Sequence, residues 1–115
     1  MPPLYPNSSP ISGRGVFTAE ALPKGSAIEI APVIVLSKED KEAIHQTHLH
    51  DYYFDWGKDG RAAIALGFGS LYNHSPDPNA DYYMDFEAQT INFFTRRDIA
   101  AGEEITIDYG NKLWK

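Results

Sequence analysis

The sequence predicts a single domain that is mainly β with one short helix, and three observations support this class. Short segments rich in β-branched and aromatic residues recur along the chain, and turns with glycine or proline separate them. One segment begins with a helix-capping pattern. The chain has 115 residues, a length typical of one domain with a substantial core.

The first predicted elements are extended. Residues 1–12 are expected to be an extended, proline-rich lead-in, and GVFTAE at 15–20 alternates as a strand does. AIEIAPVIVLS at 27–37 predicts a strand pair or one bent strand, because Pro32 lacks the N–H group that a strand ladder uses.

The predicted helix begins after Ser37, whose side chain can cap it, and acidic residues occupy its first turn. It is expected to run to about Thr47. DYYFDW at 51–56 and AAIAL at 62–66 then predict two strands joined by the turn GKDG.

The last third of the chain predicts a loop, a hairpin and a final strand. GFGSLYNHSPDPN is expected to be a loop, and ADYYMDF and TINFFT should pair as a hairpin around EAQ. In EITIDY, the side chains of Ile105, Ile107 and Tyr109 should share one face of a strand.

The loop at 71–79, LYNHSPDPN, is polar and rigid although aromatic segments flank it. Pro76 and Pro78 fix the backbone and exclude a helix or a central strand. Polar groups buried in such a loop need hydrogen-bond partners. The pattern therefore indicates a segment that is held still for a function.

Composition excludes several classes of function. The net charge of −6 argues against nucleic acid as a direct partner, since a basic face is expected in that class. The chain has no cysteine, which excludes disulfides and thiolate zinc sites. No apolar run is long enough to span a membrane, so a soluble intracellular protein of the cytoplasm or nucleus is expected.

The acidic residues are unevenly placed. No Lys or Arg lies between Arg61 and Arg96. This acidic interval contains Asp77, Asp81, Asp85 and Glu87. A solvated face is the default interpretation, and an attraction for cationic substrates is the alternative.

Two further motifs are weak on their own. GRG at 13–15 is a glycine turn before a strand, and it is not a dinucleotide fingerprint because no third glycine and no helix follow. The segment HQTHLHD brings His45, His48 and His50 close together. A metal site is one interpretation, but a polar helix end is favoured, and no metal is expected.

Four segments, in order, resemble the SET domain of protein-lysine methyltransferases, over roughly residues 13–115. GRGVF (13–17) resembles the first SET motif, and DYYF (51–54) resembles the family's tyrosine-x-phenylalanine segment. LYNHSPDPN (71–79) resembles its asparagine-histidine-serine signature, and EEITIDYG (103–110) its aspartate-tyrosine signature. The compact length most resembles that of the small viral and microbial SET proteins.

This resemblance implies a SET-domain, β-clip-like fold of several small, short-stranded sheets with a C-terminal pseudo-knot, in which one segment passes through a loop that contains the other. It implies an S-adenosylmethionine-dependent protein-lysine N-methyltransferase that acts on a basic protein tail such as a histone. The implied cofactor is S-adenosyl-L-methionine. A homodimer is also expected from the likeness to the viral proteins, since a second copy could complete the substrate cleft.

The resemblance also assigns site residues. Tyr109 is implied to be catalytic, with its hydroxyl between the methyl group and the amine. The implied cofactor-binding residues are Gly13, Arg14, Gly15, Tyr52, Asn73, His74 and Trp114. For Trp114 a core position is an equal alternative. Other aromatic residues are expected to be mostly core, with one or two lining a lysine channel: Tyr72, Tyr82, Tyr83, Phe93 and Phe94.

Two positions depart from the family pattern. Ser70 stands where many members have arginine, and Pro76 stands where many have cysteine. These departures leave an alternative open, a catalytically weak SET-fold module that binds cofactor or a basic peptide.

Overall fold

The computed structural model describes residues 3–110 and the backbone of residues 113–114. Within these residues the chain forms ten strands, one α-helix and one 3-10 helix. The strands are β1 (Leu4–Ser8), β2 (Arg14–Thr18), β3 (Ala27–Leu36), β4 (Tyr53–Trp56), β5 (Arg61–Ala65), β6 (Asn73–His74), β7 (Ala80–Asp85), β8 (Thr90–Thr95), β9 (Glu104–Ile107) and β10 (Leu113–Trp114). The helix α1 spans Lys38–His45, and the 3-10 helix spans His48–Asp51.

The strands form two small sheets, which confirms the predicted mainly β class. One sheet has the order β1-β2-β9-β6, and the other has the order β10-β7-β8-β3-β5-β4. The predicted lead-in contains β1, which pairs antiparallel with β2 along its whole length. The predicted hairpin is present as the antiparallel pair β7 and β8.

Strand β3 is one long strand that changes its partner at Pro32. Its first half pairs with β8 as far as Pro32 and Thr90, and its second half pairs with β5 from Val33 onward. The Pro32 carbonyl accepts a hydrogen bond from the Leu66 N–H at 2.9 Å, so the proline contributes its acceptor at a point where no donor is needed.

Helix α1 begins as predicted but ends earlier. The Ser37 hydroxyl accepts a hydrogen bond from the Asp40 N–H at 3.1 Å, as an N-cap does. The helix stops at His45, and Thr47 caps the 3-10 helix instead of ending α1. The strand predicted from residue 51 therefore begins only at Tyr53.

The core is built from side chains of both sheets, and Tyr72 of the loop at 71–79 belongs to it. Its largest fully buried side chains include Trp56, Tyr72, Tyr82 and Phe93. The predicted loop contains a short strand, β6, which runs parallel to β9 with Asn73 beside Thr106. This pairing sets the Asn-His segment beside the segment that leads to Tyr109, as the predicted pseudo-knot requires.

One prediction about the last strand is wrong. Ile105 and Ile107 are fully buried, but β9 ends at Ile107, and Tyr109 lies beyond it with 47% of its surface exposed. Because Tyr109 lies beyond the ladder of the sheet, its side chain does not have to share the face of Ile105 and Ile107.

Candidate active site

A cleft of about 640 Å³ brings most of the predicted site residues together. Two of its walls come from the turn that precedes β2 and from the segment that holds β6, and a third comes from the chain between the 3-10 helix and β4. The predicted residues that line it are Gly13, Arg14, Tyr52, Asn73, His74 and Tyr109.

The Tyr109 hydroxyl is fixed inside this cleft. It donates a hydrogen bond to the Tyr72 carbonyl at 2.7 Å. Burial raises the pKa of the Tyr109 hydroxyl above its ordinary value, and the charges of Asp51 and Glu104 add to this effect. The hydroxyl is therefore protonated at neutral pH, and its oxygen lone pairs remain able to accept.

His74 holds the backbone of Tyr109. The Tyr109 N–H donates to His74 Nδ1 at 3.0 Å, so Nδ1 must be unprotonated in this arrangement. The two rings lie 5.0 Å apart between centroids. The Asp108 carboxylate is 3.7 Å from the same nitrogen. Both the side chain and the main chain of Tyr109 are thus anchored on the segment 72–74.

The side chain of Asn73 links the GRG turn to β9. Its Nδ2 group lies 3.1 Å from the carbonyls of Ser12 and Arg14, and 2.8 Å from Glu104 Oε2. Since this amide donates within the protein, a bound cofactor would be contacted by other atoms of Asn73. The side chain keeps the glycine turn and the β6 segment at a fixed separation.

Gly15 does not line the cleft, in contrast to Gly13 and Arg14. A β-carbon added at Gly15 would overlap the Glu104 carboxylate, and it would stand 3.0 Å from Asn73 Nδ2. The absence of a side chain at Gly15 thus leaves the space that the Asn73–Glu104 hydrogen bond requires, and its implied contact with the cofactor stays a prediction. Gly13 differs, because it has a φ of +46° and nothing lies within 4 Å of an added β-carbon.

The acidic residues of the cleft are not those of the acidic interval. Asp77, Asp81, Asp85 and Glu87 are all absent from the lining. Its carboxylates belong instead to Asp51 and Asp55. Asp55 forms an ion pair with Lys41 Nζ at 2.8 Å, and this contact raises the pKa of the lysine. The sequence could not reveal this pair, because α1 and β4 come together only in the fold.

Two of the five further aromatic residues line the cleft, Tyr72 and Tyr82, while Tyr83, Phe93 and Phe94 do not. Tyr82 donates from its hydroxyl to the Tyr109 carbonyl at 3.3 Å, and its ring is 5.5 Å from that of Phe54. The Phe and Tyr residues of the cleft lining are Tyr52, Tyr53, Phe54, Tyr72, Tyr82 and Tyr109.

Asn79 fixes the loop at 71–79 to β9. The Asn79 side chain accepts from the Thr106 N–H at 2.9 Å and donates to the Glu104 carbonyl at 2.8 Å. Asn73 and Asn79 thus clamp the two ends of the loop, and Pro78 is buried between them. These contacts give the buried polar groups at this end of the loop the hydrogen-bond partners that they need.

Of the two departures from the family pattern, only Ser70 lies at the cleft, where it is one of the lining residues. The Ser70 hydroxyl accepts from the Ala65 N–H at 3.0 Å, which closes the turn after β5. Pro76 is exposed and is not part of the cleft lining. The prediction for the Trp114 side chain falls outside the described residues, although its backbone pairs with Met84.

The histidine cluster has local partners. His45 Nδ1 lies 3.0 Å from the Tyr53 hydroxyl, and His50 Nδ1 lies 2.9 Å from the Thr47 carbonyl. Across residues 3–110, no three His, Cys, Asp or Glu side chains are grouped as a metal site would require. In the same part of the chain, no helix has the length and apolar character to cross a membrane.

Comparison with protein families then decides the assignment. The family model described as "SET domain" matches residues 13–110. The chain belongs to the SET-domain family. The SET domain therefore includes all four segments on which the resemblance was based, and the predicted fold is confirmed.

Curated relatives of this SET domain carry methyltransferase names. A Schizosaccharomyces pombe protein named "Histone-lysine N-methyltransferase, H3 lysine-37 specific" is 40% identical over 113 residues, covering 97% of this chain and 76% of the relative. The Drosophila melanogaster histone-lysine N-methyltransferase Su(var)3-9 is 33% identical over 85% of this chain, which spans only 18% of that protein. These relatives confirm the predicted enzyme class, protein-lysine methyltransferase.

Solved structures agree on the fold. A Plasmodium falciparum protein described as a candidate histone methyltransferase superimposes with a TM-score of 0.73 at 27% identity, covering 96% of both chains. The Chaetomium thermophilum Polycomb Repressive Complex 2 bound to an inhibitor gives a TM-score of 0.76 at 22% identity, over 93% of this chain and 15% of that one. The second likeness shows the fold alone.

Proposed function

We propose that this SET domain transfers a methyl group from S-adenosyl-L-methionine to a lysine of a basic protein tail, such as a histone tail, in the cleft around Tyr109. The observation that carries the proposal is the Tyr109 hydroxyl, held 2.7 Å from the Tyr72 carbonyl in a cleft that the GRG turn and the Asn-His segment also line. The Schizosaccharomyces pombe relative, named for H3 lysine 37, makes histone H3 the first substrate to test.

The cleft fits the cofactor in size and chemistry. Its volume of about 640 Å³ is within the range of sites for small organic ligands. A ligand can approach the backbone at Gly13 closely, because the space beside it is open. The Asp51 carboxylate in the lining suits a sulfonium or an ammonium group, whereas Asp55 is already paired with Lys41.

When bound, S-adenosylmethionine supplies a methyl group on a sulfonium, which an amine can displace in line. Tyr109 is proposed to orient the amine rather than to deprotonate it, since its raised pKa keeps the hydroxyl protonated. The O–H donates to Tyr72, so the oxygen can accept from the amine. Orientation of this kind lowers the activation free energy by about several kcal/mol.

The lysine must be neutral to react, although its ordinary pKa is about 10.4. Aromatic side chains of the cleft, Tyr52, Phe54, Tyr82 and Tyr109, would remove water from the ammonium group and lower its pKa. The Asp51 carboxylate acts in the opposite sense, by attracting the cationic tail before the lysine is desolvated. The released proton is proposed to leave through water.

The test is transfer of labelled methyl groups from S-adenosylmethionine to histone H3, to a mixed histone set and to an acidic control protein. Tyr109→Phe is measured beside the wild type, with Tyr5→Phe as the matched control, because Tyr5 lies on β1 outside the cleft lining. We expect transfer to lysine with the wild type and Tyr5→Phe, and a loss of at least about a hundredfold with Tyr109→Phe.

Two results would contradict the proposal. Equal transfer by wild type and Tyr109→Phe would remove Tyr109 from the chemistry. Tight binding of S-adenosylmethionine without transfer to any protein would favour the alternative, a SET-fold binding module.

A further inference from the structure

Glu29 is a buried acid that the proposed mechanism does not use. It lies on β3 with only 6% of its surface exposed. Its carboxylate accepts from the Tyr72 hydroxyl at 2.7 Å and from the Phe68 N–H at 3.0 Å. A buried carboxylate is costly unless such bonds satisfy it, so its position is specific.

The turn that follows β5 is shaped around this carboxylate. A β-carbon added at Gly67 would overlap Glu29 Oε2, and the φ of Gly67 is +61°. At Gly69 an added β-carbon would stand 2.5 Å from the Ala65 β-carbon and 3.1 Å from that of Ala31. The turn that contains Gly67 and Gly69 therefore packs closely on β3, and a shift or rotation of this turn would disturb Glu29.

The same turn leads along the chain to Tyr72, which contacts the catalytic candidate Tyr109. The Tyr72 ring is fully buried and packs against Phe93 with a centroid separation of 4.6 Å. Its hydroxyl is held by Glu29, while its main-chain carbonyl receives the Tyr109 hydroxyl at 2.7 Å. Tyr72 is thus a rigid connection between β3 and the reacting centre.

We infer that Glu29 is a positioning residue for methyl transfer, which acts through Tyr72 to fix the carbonyl on which the Tyr109 hydroxyl rests. This inference rests on the proposed function for its catalytic consequence. Burial and the adjacent Glu29 carboxylate raise the pKa of Tyr72, so its hydroxyl remains a donor across the working range of pH.

The first experiment compares Glu29→Gln, Tyr72→Phe and the double variant with wild type. Glu42→Gln is the matched control, because it removes the same charge from an exposed position of α1. We expect each single variant to lower kcat by about tenfold. The KM values for S-adenosylmethionine and for the protein substrate should stay within about twofold, since a displacement of the Tyr109 hydroxyl by less than about 1 Å affects alignment more than binding. The double variant should lose no more than Tyr72→Phe alone, because the proposed effect of Glu29 on Tyr109 passes through the Tyr72 hydroxyl that this variant removes.

The second experiment observes Tyr109 without activity. The seven tyrosines are labelled with ¹³C at Cζ, and the Tyr109 signal is assigned by its absence in Tyr109→Phe. In Glu29→Gln and Tyr72→Phe this signal should move towards the position of an exposed tyrosine, whereas Glu42→Gln should leave it in place. A shift seen in Tyr72→Phe also serves if Glu29→Gln folds poorly.

The outcomes separate the two proposals. If wild type transfers no methyl group, the proposed function fails, and the Tyr109 signal alone then decides the role of Glu29. If transfer occurs but Glu29→Gln and Tyr72→Phe lower only the melting temperature, with kcat and the Tyr109 signal unchanged, Glu29 is merely structural and the inference is overturned.

Discussion

Asn79→Ala should destabilise the fold strongly, because the Asn79 side chain makes hydrogen bonds to backbone groups of β9. The Asn79 amide is 2% exposed, and it bonds the Thr106 N–H at 2.9 Å and the Glu104 carbonyl at 2.8 Å. Alanine would leave both backbone groups without partners. Each orphaned buried group costs about 1–3 kcal/mol, so we expect a loss of about 3 kcal/mol in the free energy of unfolding.

The assay is urea unfolding followed by circular dichroism. With a slope of about 1.5 kcal/mol/M, a loss of this size lowers the midpoint by about 2 M. Asn7→Ala is the control, since Asn7 is exposed on β1 and only its neighbour Ser8 donates to its side chain among the hydrogen bonds described. Its effect should stay below about 0.5 kcal/mol.

A loss smaller than about 1 kcal/mol in Asn79→Ala, at an unchanged slope, would refute this reasoning, because water would then be serving the two backbone groups. Asn79→Asp gives an independent check. It keeps an acceptor for Thr106 but sets a carboxylate against the Glu104 carbonyl and near Glu103. It should therefore cost more than alanine at neutral pH and less in acid, where the new carboxyl can donate.

Two further predictions concern the cleft. Gly15→Ala should reduce both the free energy of unfolding and the affinity for S-adenosylmethionine, because its β-carbon would displace the Glu104 carboxylate from Asn73. Calorimetry measures the affinity, and Gly25→Ala is the control, since an added β-carbon there meets open space although its φ of +83° is strained. An unchanged affinity in Gly15→Ala would contradict this prediction. Unfolding in strong base should depend on Tyr109, whose pKa is raised in the folded state above the value of about 10 expected when unfolded. The sign follows from linkage: the stabilisation is fully present below about pH 10 and falls as pH rises further, so Tyr109→Phe should flatten the decline of unfolding free energy measured above pH 10.

Local patterns account for most of the secondary structure. The hairpin of β7 and β8, the Ser37 cap and the strand around Pro32 follow from rules that act over a few residues. The errors occur where another element intervenes. The strand predicted from residue 51 begins at Tyr53 because Thr47 caps a 3-10 turn first, and β9 ends before Tyr109 because its ladder partner, β6, has only two residues.

For the site too, the sequence indicated some residues in advance and missed others. The resemblance of the motifs indicated Tyr109, Asn73 and His74, and the structure places all three in one cleft. It missed Glu104, although that residue lies within the quoted motif EEITIDYG, and it missed Glu29, whose only signal was a lone acid in an apolar strand. Neither role could be read in advance, because each depends on a partner far away in the chain.

The sequence by itself determined the class of fold, the family and the residues that carry the family motifs, because these depend on local periodicity and on short ordered patterns. Only the tertiary structure decided which groups face one another. It placed the carboxylates of Asp51 and Asp55 in the cleft lining and left those of the interval 77–87 outside it, and it joined Glu29 to Tyr109 through Tyr72. The physical reason is that hydrogen bonds and charge act over a few ångströms in space, whatever the separation along the chain.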